Sequence, residues 1–453
     1  MVAISLVRIR DHRCEQWDID SLIKRSLAPV LGKRLVQFEA MQGQAIIPAR
    51  ILAMWASAFE TLDAGCTVNI EDAPAESLHL WDTDIVVFFM DACNATRTIQ
   101  QAEICMKLNM RVVIASGASE IYRAFAPNAD NYMWCSLDVR EAAGILETDV
   151  SFDPDALIPA YQAANTGDYC PYFVPVSLAR MTDGAPRDVD SIIAEIRALR
   201  DRGILTKSKH VVFDSPFDEA TSTSLMIEIA SRLVTLEITW CAWLPTNLDA
   251  RDIALFRRSG LVLASLGKSM NFNTLMHDVQ SREIRAKAVS MLKTRGVAVT
   301  AEFIIRDESA FKEMEKAWHI IRSGIDIPIV SLYVPYPESA EYRRLDADGQ
   351  ILSHDWSLYD GEHVVYQTQA CAGHTLERKC REMQTDLNSG IRMIARILFP
   401  DIRQIAMWKN ALLSTAETTA MRIALASSAR KTVQCHKKTQ LRMLSDVILV
   451  GKY

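Results

Sequence analysis

Ile85-Val86-Val87-Phe88-Phe89-Met90 and, further along, Arg111-Val112-Val113-Ile114-Ala115 decide the fold. Each is a short apolar run without polar alternation, the mark of a strand buried on both faces of a parallel sheet. Between them, Thr98 to Leu108 is amphipathic and supplies the helical crossover that two parallel strands need. Val2 to Ile9 and Cys66 to Ile70 read as further strands, and Ala49 to Leu62 as a helix that ends near Gly65. The pattern predicts a doubly wound sheet, which takes its ligands at the carboxyl ends of its strands. The first run leads into Asp91 and Asn94, and the second into Ser116-Gly117-Ala118, so these five are candidate ligand contacts. For Ser116 and Gly117 a ligand contact and a plain turn after a strand are equally good readings.

Further on, residues 151–180 read as an irregular linker with Pro154, Pro159, Pro171 and Pro175. A longer strand–helix cadence then begins near Ala185. Helices are expected at Val189–Arg200, Ser222–Leu233, Asp249–Ser259 (closed by Gly260), Asn273–Arg295 and Ser309–Arg322. Strands are expected at Lys209–Phe213, Glu237–Trp243, Leu261–Ser265, Val297–Ile305 and Ile327–Val334. Five or six such units make a partial or full α/β barrel, with its site at the carboxyl ends of the strands. From residue 371 the chain reads as mostly helical, with a helix at Leu376–Leu398 and a break at Pro400. The expected class is therefore α/β: a Rossmann-like domain over residues 1–150, a TIM-like barrel over 151–370 and a helical region over 371–453.

The composition agrees with a packed globular chain of two or three domains. Of 453 residues, 49% are apolar and 23% charged. The net charge of -6, with Lys and Arg dispersed, leaves no basic stripe for nucleic acid, so small molecules or proteins are the expected partners. No apolar run approaches the ~18 residues of a membrane span, and the first residues carry no leader pattern, so a cytoplasmic location is expected. The ten cysteines are scattered and mostly within apolar runs, which suits buried thiols rather than disulfides. His363 and His374 have no metal-ligand spacing, the Cys435-His436 pair is alone, and no G-x-S-x-G nucleophile motif occurs.

Several blocks, in this order, resemble the cobalamin-binding radical SAM family. They are Asp82–Phe89 and Arg111–Gly117, then Ala185–Ile192, Val211–Phe217 and Leu248–Gly260. Tyr333-Val334-Pro335-Tyr336-Pro337 follows, and last comes Asp355-Trp356-Ser357-Leu358-Tyr359-Asp360 with His363-Val364-Val365. That last block is similar to the family's D-W-S-x-Y-D-x-x-H-V-V and is the most telling. The resemblance implies a cobalamin-binding Rossmann-like domain joined to a partial α/β barrel and a helical tail. It also places Cys170, Asp214, Lys268, Ser269 and Tyr336 around the barrel mouth.

The family's chemistry needs C-x-x-x-C-x-x-C on one loop, three thiolates that hold a [4Fe–4S] cluster with one iron open for SAM. Here Cys170-Pro171-Tyr172 matches the start of that loop, yet positions four and seven further on are Val174 and Ser177. In a second alignment Tyr172 to Arg180 is the strand before the loop, and the loop is deleted. Cys371 and Cys380 stand nine positions apart and Cys241 is alone in a strand. The SAM-facing segments differ too: Leu266-Gly267-Lys268-Ser269-Met270 stands for G-x-E-S-G, and Ile305-Arg306-Asp307-Glu308-Ser309 for a glycine-rich turn. Cys170 also reads as an ordinary buried thiol, Asp214 as a loop acid or helix cap, and Lys268 as a solvated lysine.

Three functions stay open on the sequence. The first is a cluster-free scaffold in a non-radical role, binding cobalamin or another small molecule, or partnering an active paralogue. The second is a cobalamin- and SAM-dependent methyltransferase or cyclase of secondary metabolism. The third is a structural module whose sites have collapsed.

Overall fold

The computed structural model describes residues 2–9, 49–73, 78, 83–163, 173–206, 210–214, 219–244, 248–266, 270–271, 279–308, 325, 327–337, 339–368 and 372–387. Over these, the first sheet contains β1 (Ala3–Ile9), β2 (Thr67–Ala73), β3 (Ile85–Phe89), β4 (Arg111–Ala115) and β5 (Met133–Cys135). All neighbours are parallel, in the order β2-β1-β3-β4-β5. In this doubly wound order the direction of strand addition reverses between β1 and β3, which opens a crevice at their carboxyl ends.

The helices that wind this sheet are α1 (Ala49–Leu62), α2 (Ala95–Lys107), α3 (Ser119–Phe125) and α4 (Glu141–Ile145). Alternation along each strand divides the sheet's core in two. Ile4, Leu6, Val87, Phe89 and Val113 belong to the same core cluster as α1, where the Trp55 and Phe89 rings meet edge to face at 5.4 Å. Val7, Ile9, Val86, Phe88 and Ile114 belong to the second cluster with Ala95, Ala102 and Cys105 of α2. The strands read from the apolar runs are present. The three-residue β5 carries no periodic signal and was not expected.

The second sheet is also all parallel, with seven strands. It contains β6 (Phe173–Ser177), β7 (His210–Asp214), β8 (Thr239–Leu244), β9 (Leu261–Leu266), β10 (Met270–Asn271), β11 (Ala298–Ile305) and β12 (Ile327–Leu332). Thr300 pairs with β9 on one side and β12 on the other, and Phe303 likewise with β10 and β12. β9 and β10 therefore share one strand position, giving the lateral order β6, β7, β8, β9 with β10, β11, β12. α5 (Val189–Asp201), α6 (Glu219–Leu233), α7 (Ala250–Arg258) and α8 (Val279–Thr294) supply the outer layer.

The local signals act as expected. Asp188 accepts from the Ser191 amide at 3.1 Å to start α5, and Asp249 with Asp252 forms a capping box on α7. Gly260 closes α7 at φ 106°, and a Cβ there would fall 1.9 Å from the Ile238 carbonyl oxygen. The expected helix at Ser309–Arg322 lies outside the described residues. The tail contributes α10 (Gly373–Leu387), and the rest of the expected Leu376–Leu398 helix lies outside them as well. α9 (Ala340–Ala347) precedes it. Among the described residues no helix is long and apolar enough to cross a membrane.

One expectation changes. The stretch 151–180 is not linker throughout, because β6 occupies Phe173–Ser177. Its Pro175 is tolerated because β6 is an edge strand among the described residues, where a missing N–H breaks no ladder. The Pro175 carbonyl accepts from Arg50 of α1 at 3.2 Å and from the Tyr161 hydroxyl at 3.3 Å. Arg50 also pairs with Glu195 of α5, and Arg187 meets the same carboxylate at 2.7 Å while donating to the Ser177 carbonyl at 3.0 Å. The Glu195 side chain is 2% exposed. On the other side of the first sheet, residues 334–366 close over α2 and α3. Trp356 meets Tyr122 edge to face at 5.2 Å and packs with Tyr342 and Tyr359.

Replacing Glu195 with Ala would leave Arg50 and Arg187 buried beside each other without their shared anion. The expected cost is about 3–5 kcal/mol, the usual penalty for breaking a buried ion pair by removing one member. It is read as a lower urea midpoint, with both sheets losing structure together. An unchanged midpoint would show that the carboxylate does not tie α1 to β6.

Candidate functional site

Both sheets offer carboxyl ends. In the first, the crevice between β1 and β3 receives Asp91 and Asn94, two of the residues singled out from sequence. Asn94 is 1% exposed, and its amide donates to the Ile9 carbonyl at 3.1 Å and the Phe89 carbonyl at 3.2 Å. It thereby ties the ends of the two strands across the reversal point. Its Oδ1 accepts from the Asp91 amide while the Asp91 carboxylate accepts from the Asn94 amide, a reciprocal cap. Asp91 also takes an ion pair from Arg8 at 3.3 Å, with its side chain 46% exposed.

The turn after β4 holds the other three. Ser116 is buried, and its hydroxyl accepts from the Ala118 amide at 3.3 Å. Ser119 Oγ donates to the carbonyls of Ser116 and Cys135. Gly117 is exposed at the tip. The polar groups of Asn94 and Ser116 therefore hold the platform together. What the platform offers outward is the Asp91 carboxylate and a turn over 116–119 with no side chain larger than serine. Small residues at this end fit the close approach of a flat macrocycle.

Of the barrel-mouth residues, Cys170, Lys268 and Ser269 lie outside the described residues. Asp214 ends β7. Tyr336 is 42% exposed, and its carbonyl accepts from the amide and hydroxyl of Ser339, the cap of α9. Arg306, which the sequence placed in the segment standing for a glycine-rich turn, follows β11. Its guanidinium lies 4.2 Å from the Tyr333 ring centroid and pairs with Glu341 at 2.6 Å, while its carbonyl accepts from the Tyr366 hydroxyl at 2.6 Å.

The connection after β6 is closed upon itself. Arg180 N donates to the Ala185 carbonyl at 2.8 Å, Arg187 N donates to the Leu178 carbonyl at 2.8 Å, and Arg180 pairs with Asp183. Asp155 accepts from the Met181 amide at 2.6 Å and the Thr182 hydroxyl at 2.5 Å. Residues 178–188 contain no sulfur other than Met181, so this turn offers no thiolate and does not fit an iron–sulfur cluster. Cys66, Cys105, Cys135, Cys241 and Cys380, the described cysteines with side-chain placement, form no disulfide with one another and are dispersed, with Cys105 in α2, Cys135 in β5, Cys241 in β8 and Cys380 in α10. Burial pushes Cys105 and Cys66 up to about 11 and Cys135 to about 12, far from thiolate.

The face of the second sheet turned away from its helices is uncharged along its deeper row. Register aligns Pro175, Val212, Cys241, Leu263 and Ala298 across five strands. One pleat nearer the carboxyl ends, Trp243 aligns with Ser265. Trp240, Ala242 and Leu244 point to the other face and pack in the helix-side core. Trp243 was missed in the sequence because Trp240-Cys241-Ala242-Trp243-Leu244 is apolar on both faces, and alternation then distinguishes nothing.

A second missed feature lies where β12 ends. The Leu332 amide donates to the Gly361 carbonyl at 2.7 Å, and a Cβ on Gly361 would sit 3.7 Å from that of Ser331. Next to it Asp360, with its side chain 0% exposed, accepts from the amides of Glu362 and His363 and, at 2.9 Å, from His363 Nδ1. Burial opposes the charged imidazolium, but the bond to Asp360 and the charges of Asp360, Glu377 and Glu362 outweigh it and hold the ring above its ordinary 6.5. The signal was the i, i+3 spacing of Asp360 and His363 inside the D-W-S-x-Y-D-x-x-H block.

A histidine pKa raised by folding adds stability below the ordinary value and loses it as pH rises through the raised one. Wild type is therefore expected to exceed His363→Gln in melting temperature at pH 6. The gap should narrow steadily above pH 6.5. Parallel curves across that range would show that the ring does not titrate with folding.

No protein-family model and no curated protein sequence matches the chain. Solved structures do. The radical S-adenosylmethionine methyltransferase TsrM from Kitasatospora setae, with cobalamin and a [4Fe–4S] cluster bound, is similar at TM-score 0.53 and 10% identity over 95% of this chain and 100% of that one. TsrM with its tryptophan substrate and the SAM analog aza-SAM gives 0.51 and 10% over 85% and 89%. The cobalamin-dependent S-adenosylmethionine radical enzyme OxsB with aqua-cobalamin bound gives 0.48 and 10% over 97% and 81%. The chain thus has a fold similar to that of a cobalamin-dependent radical SAM methyltransferase.

Proposed function

We propose that this chain is a cluster-free relative of the cobalamin-binding radical SAM enzymes, acting in a non-radical role as a ligand-binding protein or as the partner of an active paralogue. The observation that carries the reading is the spacing of sulfur. No C-x-x-x-C-x-x-C occurs, and the connection after β6, where the resemblance puts that loop, is a closed turn without a thiol. Cys170 precedes β6 in the chain, which favours the alignment in which the loop is deleted. Arg306 fills the place of a glycine-rich turn and is held by Tyr333 and Glu341.

The proposed organisation is a cobalamin-type domain over residues 1–150, a partial barrel over 151–370 and a helical region over 371–453, in the cytoplasm. A corrinoid would rest on the carboxyl ends of the first sheet, over the 116–119 turn, with Asp91 at its margin. When bound, that group supplies carbon-transfer and one-electron chemistry. The residues of this chain hold the platform level: Asn94 joins β1 to β3, and Ser119 joins the β4 turn to β5. The half-open inner face of the second sheet, with Trp243 39% exposed, supports ligand binding over a structural module with collapsed sites. It also leaves room for the second reading, a cobalamin- and SAM-dependent methyltransferase or cyclase.

Two measurements separate these readings. Anaerobic incubation with iron and sulfide is expected to leave no stoichiometric charge-transfer band. Four irons per chain would overturn the cluster-free reading. Hydroxocobalamin is expected to co-elute with the full chain on gel filtration, seen in its visible spectrum. Gly117→Trp, which puts a large side chain on the platform, is expected to abolish that retention. Retention unchanged by Gly117→Trp would move the corrinoid elsewhere.

A further inference from the structure

Four positions of the inner face lie side by side near the carboxyl ends of β6 to β9. Ser177 pairs with Asp214, and Trp243 pairs with Ser265. The pairing of Phe213 with Ala242 puts Asp214 next to Trp243. The residue before each of them, Val176, Phe213, Ala242 or Ala264, packs in the helix-side core. Successive residues of a strand alternate between faces, so these four share the other face. Neighbouring strands lie about 4.8 Å apart, so Asp214, Trp243 and Ser265 span about 10 Å.

Ser177 is committed locally. Its hydroxyl accepts from the Ala179 amide and donates to the Ala179 carbonyl, each at 3.3 Å. Trp55, Trp134 and Trp240 likewise donate their indole N–H groups to backbone carbonyls. Trp243, 39% exposed, makes no such bond among the described residues, and neither does the half-buried Ser265 hydroxyl. A donor and a hydroxyl thus stand open in a row where Asp214 adds a carboxylate at the next register position. One pleat below, Pro175, Val212, Cys241 and Leu263 are apolar, and all but Cys241 are partly accessible.

Chemistry narrows the occupant. An aromatic ligand laid over this row would take a carboxylate and a hydroxyl out of water without giving them partners, a loss that outweighs the ring contact. An organic cation would suit Asp214 and the indole face but has no acceptor for the Trp243 N–H. A hydroxylated ring meets all three groups. Its O–H groups donate to the carboxylate, its oxygens accept from Trp243 and Ser265, and its C–H face lies on the indole and the apolar row.

We propose that the Asp214–Trp243–Ser265 row binds a neutral polyhydroxylated ring, a sugar or cyclitol, stacked on Trp243. This deepens the proposed function by naming a ligand class for the second sheet. It rests on that reading only in taking the carboxyl ends of this sheet as a site.

Methyl α-glucoside, methyl α-galactoside and myo-inositol are the probes, titrated against the full chain by saturation-transfer NMR. Saturable binding of at least one is expected. Asp214→Asn is expected to weaken it about tenfold, because a neutral amide replaces a charged acceptor. Trp243→Ala is expected to weaken it about tenfold through loss of the stacked area, with Trp243→Phe in between. Ser265→Ala should have a smaller effect in the same direction. Indole and cyclohexylammonium are controls and should bind more weakly than the best polyol. Circular dichroism establishes that each variant is folded. If Trp243→Ala is not folded, Asp214→Asn and Trp243→Phe decide. Absence of saturable binding by all three polyols at their highest soluble concentration would overturn the proposal. So would unchanged binding in folded Asp214→Asn or Trp243→Ala, or tighter binding of either control. Iron content measured on the same samples keeps the two readings apart. Four irons per chain with polyol binding leaves this inference standing and removes the cluster-free reading, while an iron-free chain that binds no polyol does the reverse.

Discussion

A buried carboxylate ties the two sheets together beside the apolar core they share. Glu195 lies on the sheet-facing side of α5, between Ile192 and Leu199, where an ionised group is costly unless it is paired. It is paired twice, by Arg187 from its own sheet and by Arg50 from α1 of the other. Both arginines also serve the edge strand β6, through the carbonyls of Ser177 and Pro175. An edge strand with open carbonyls invites foreign pairing. Here those carbonyls are used to dock a neighbouring domain, so the covering of the edge and the placing of the first sheet are one interaction.

The connection after β6 is short and is tied to the same carboxylate. Arg187 must reach back to Ser177, eleven residues enclosing a turn that Arg180, Asp183 and Asp155 close. The cost of separating the two sheets then lies in charge pairing as well as in apolar contact.

The sequence was most informative where one constraint acted alone. Ile85–Phe89 and Arg111–Ala115 are apolar because both faces of β3 and β4 are buried, and that pattern needs no partner to be recognised. Asp249 and Gly260 announce the ends of α7 through purely local chemistry. It was least informative where a residue serves a distant one. β6 was legible only in the alignment that takes Tyr172 to Arg180 as a strand, because Pro175 suggests a linker until the edge position removes the objection. Glu195 reads as a solvent-facing acid, although its spacing of three from Ile192 and four from Leu199 puts it on the buried stripe. Asn94 was found for its place at a strand end, but the bonds that occupy its amide depend on Ile9, which lies far away in the chain.

The same distinction separates what a strand end holds from what it presents. At the first sheet's reversal point, Asn94 and Ser116 are nearly inaccessible, and each is committed to backbone groups. A residue so committed fixes the shape of a site and cannot also follow a ligand's charge. The groups that the fold leaves half open are others: the Asp91 carboxylate at one sheet and the Trp243 ring at the other. One is a charge in a wet margin, where its attraction is screened and short in reach. The other is an exposed ring near the carboxyl end of β8.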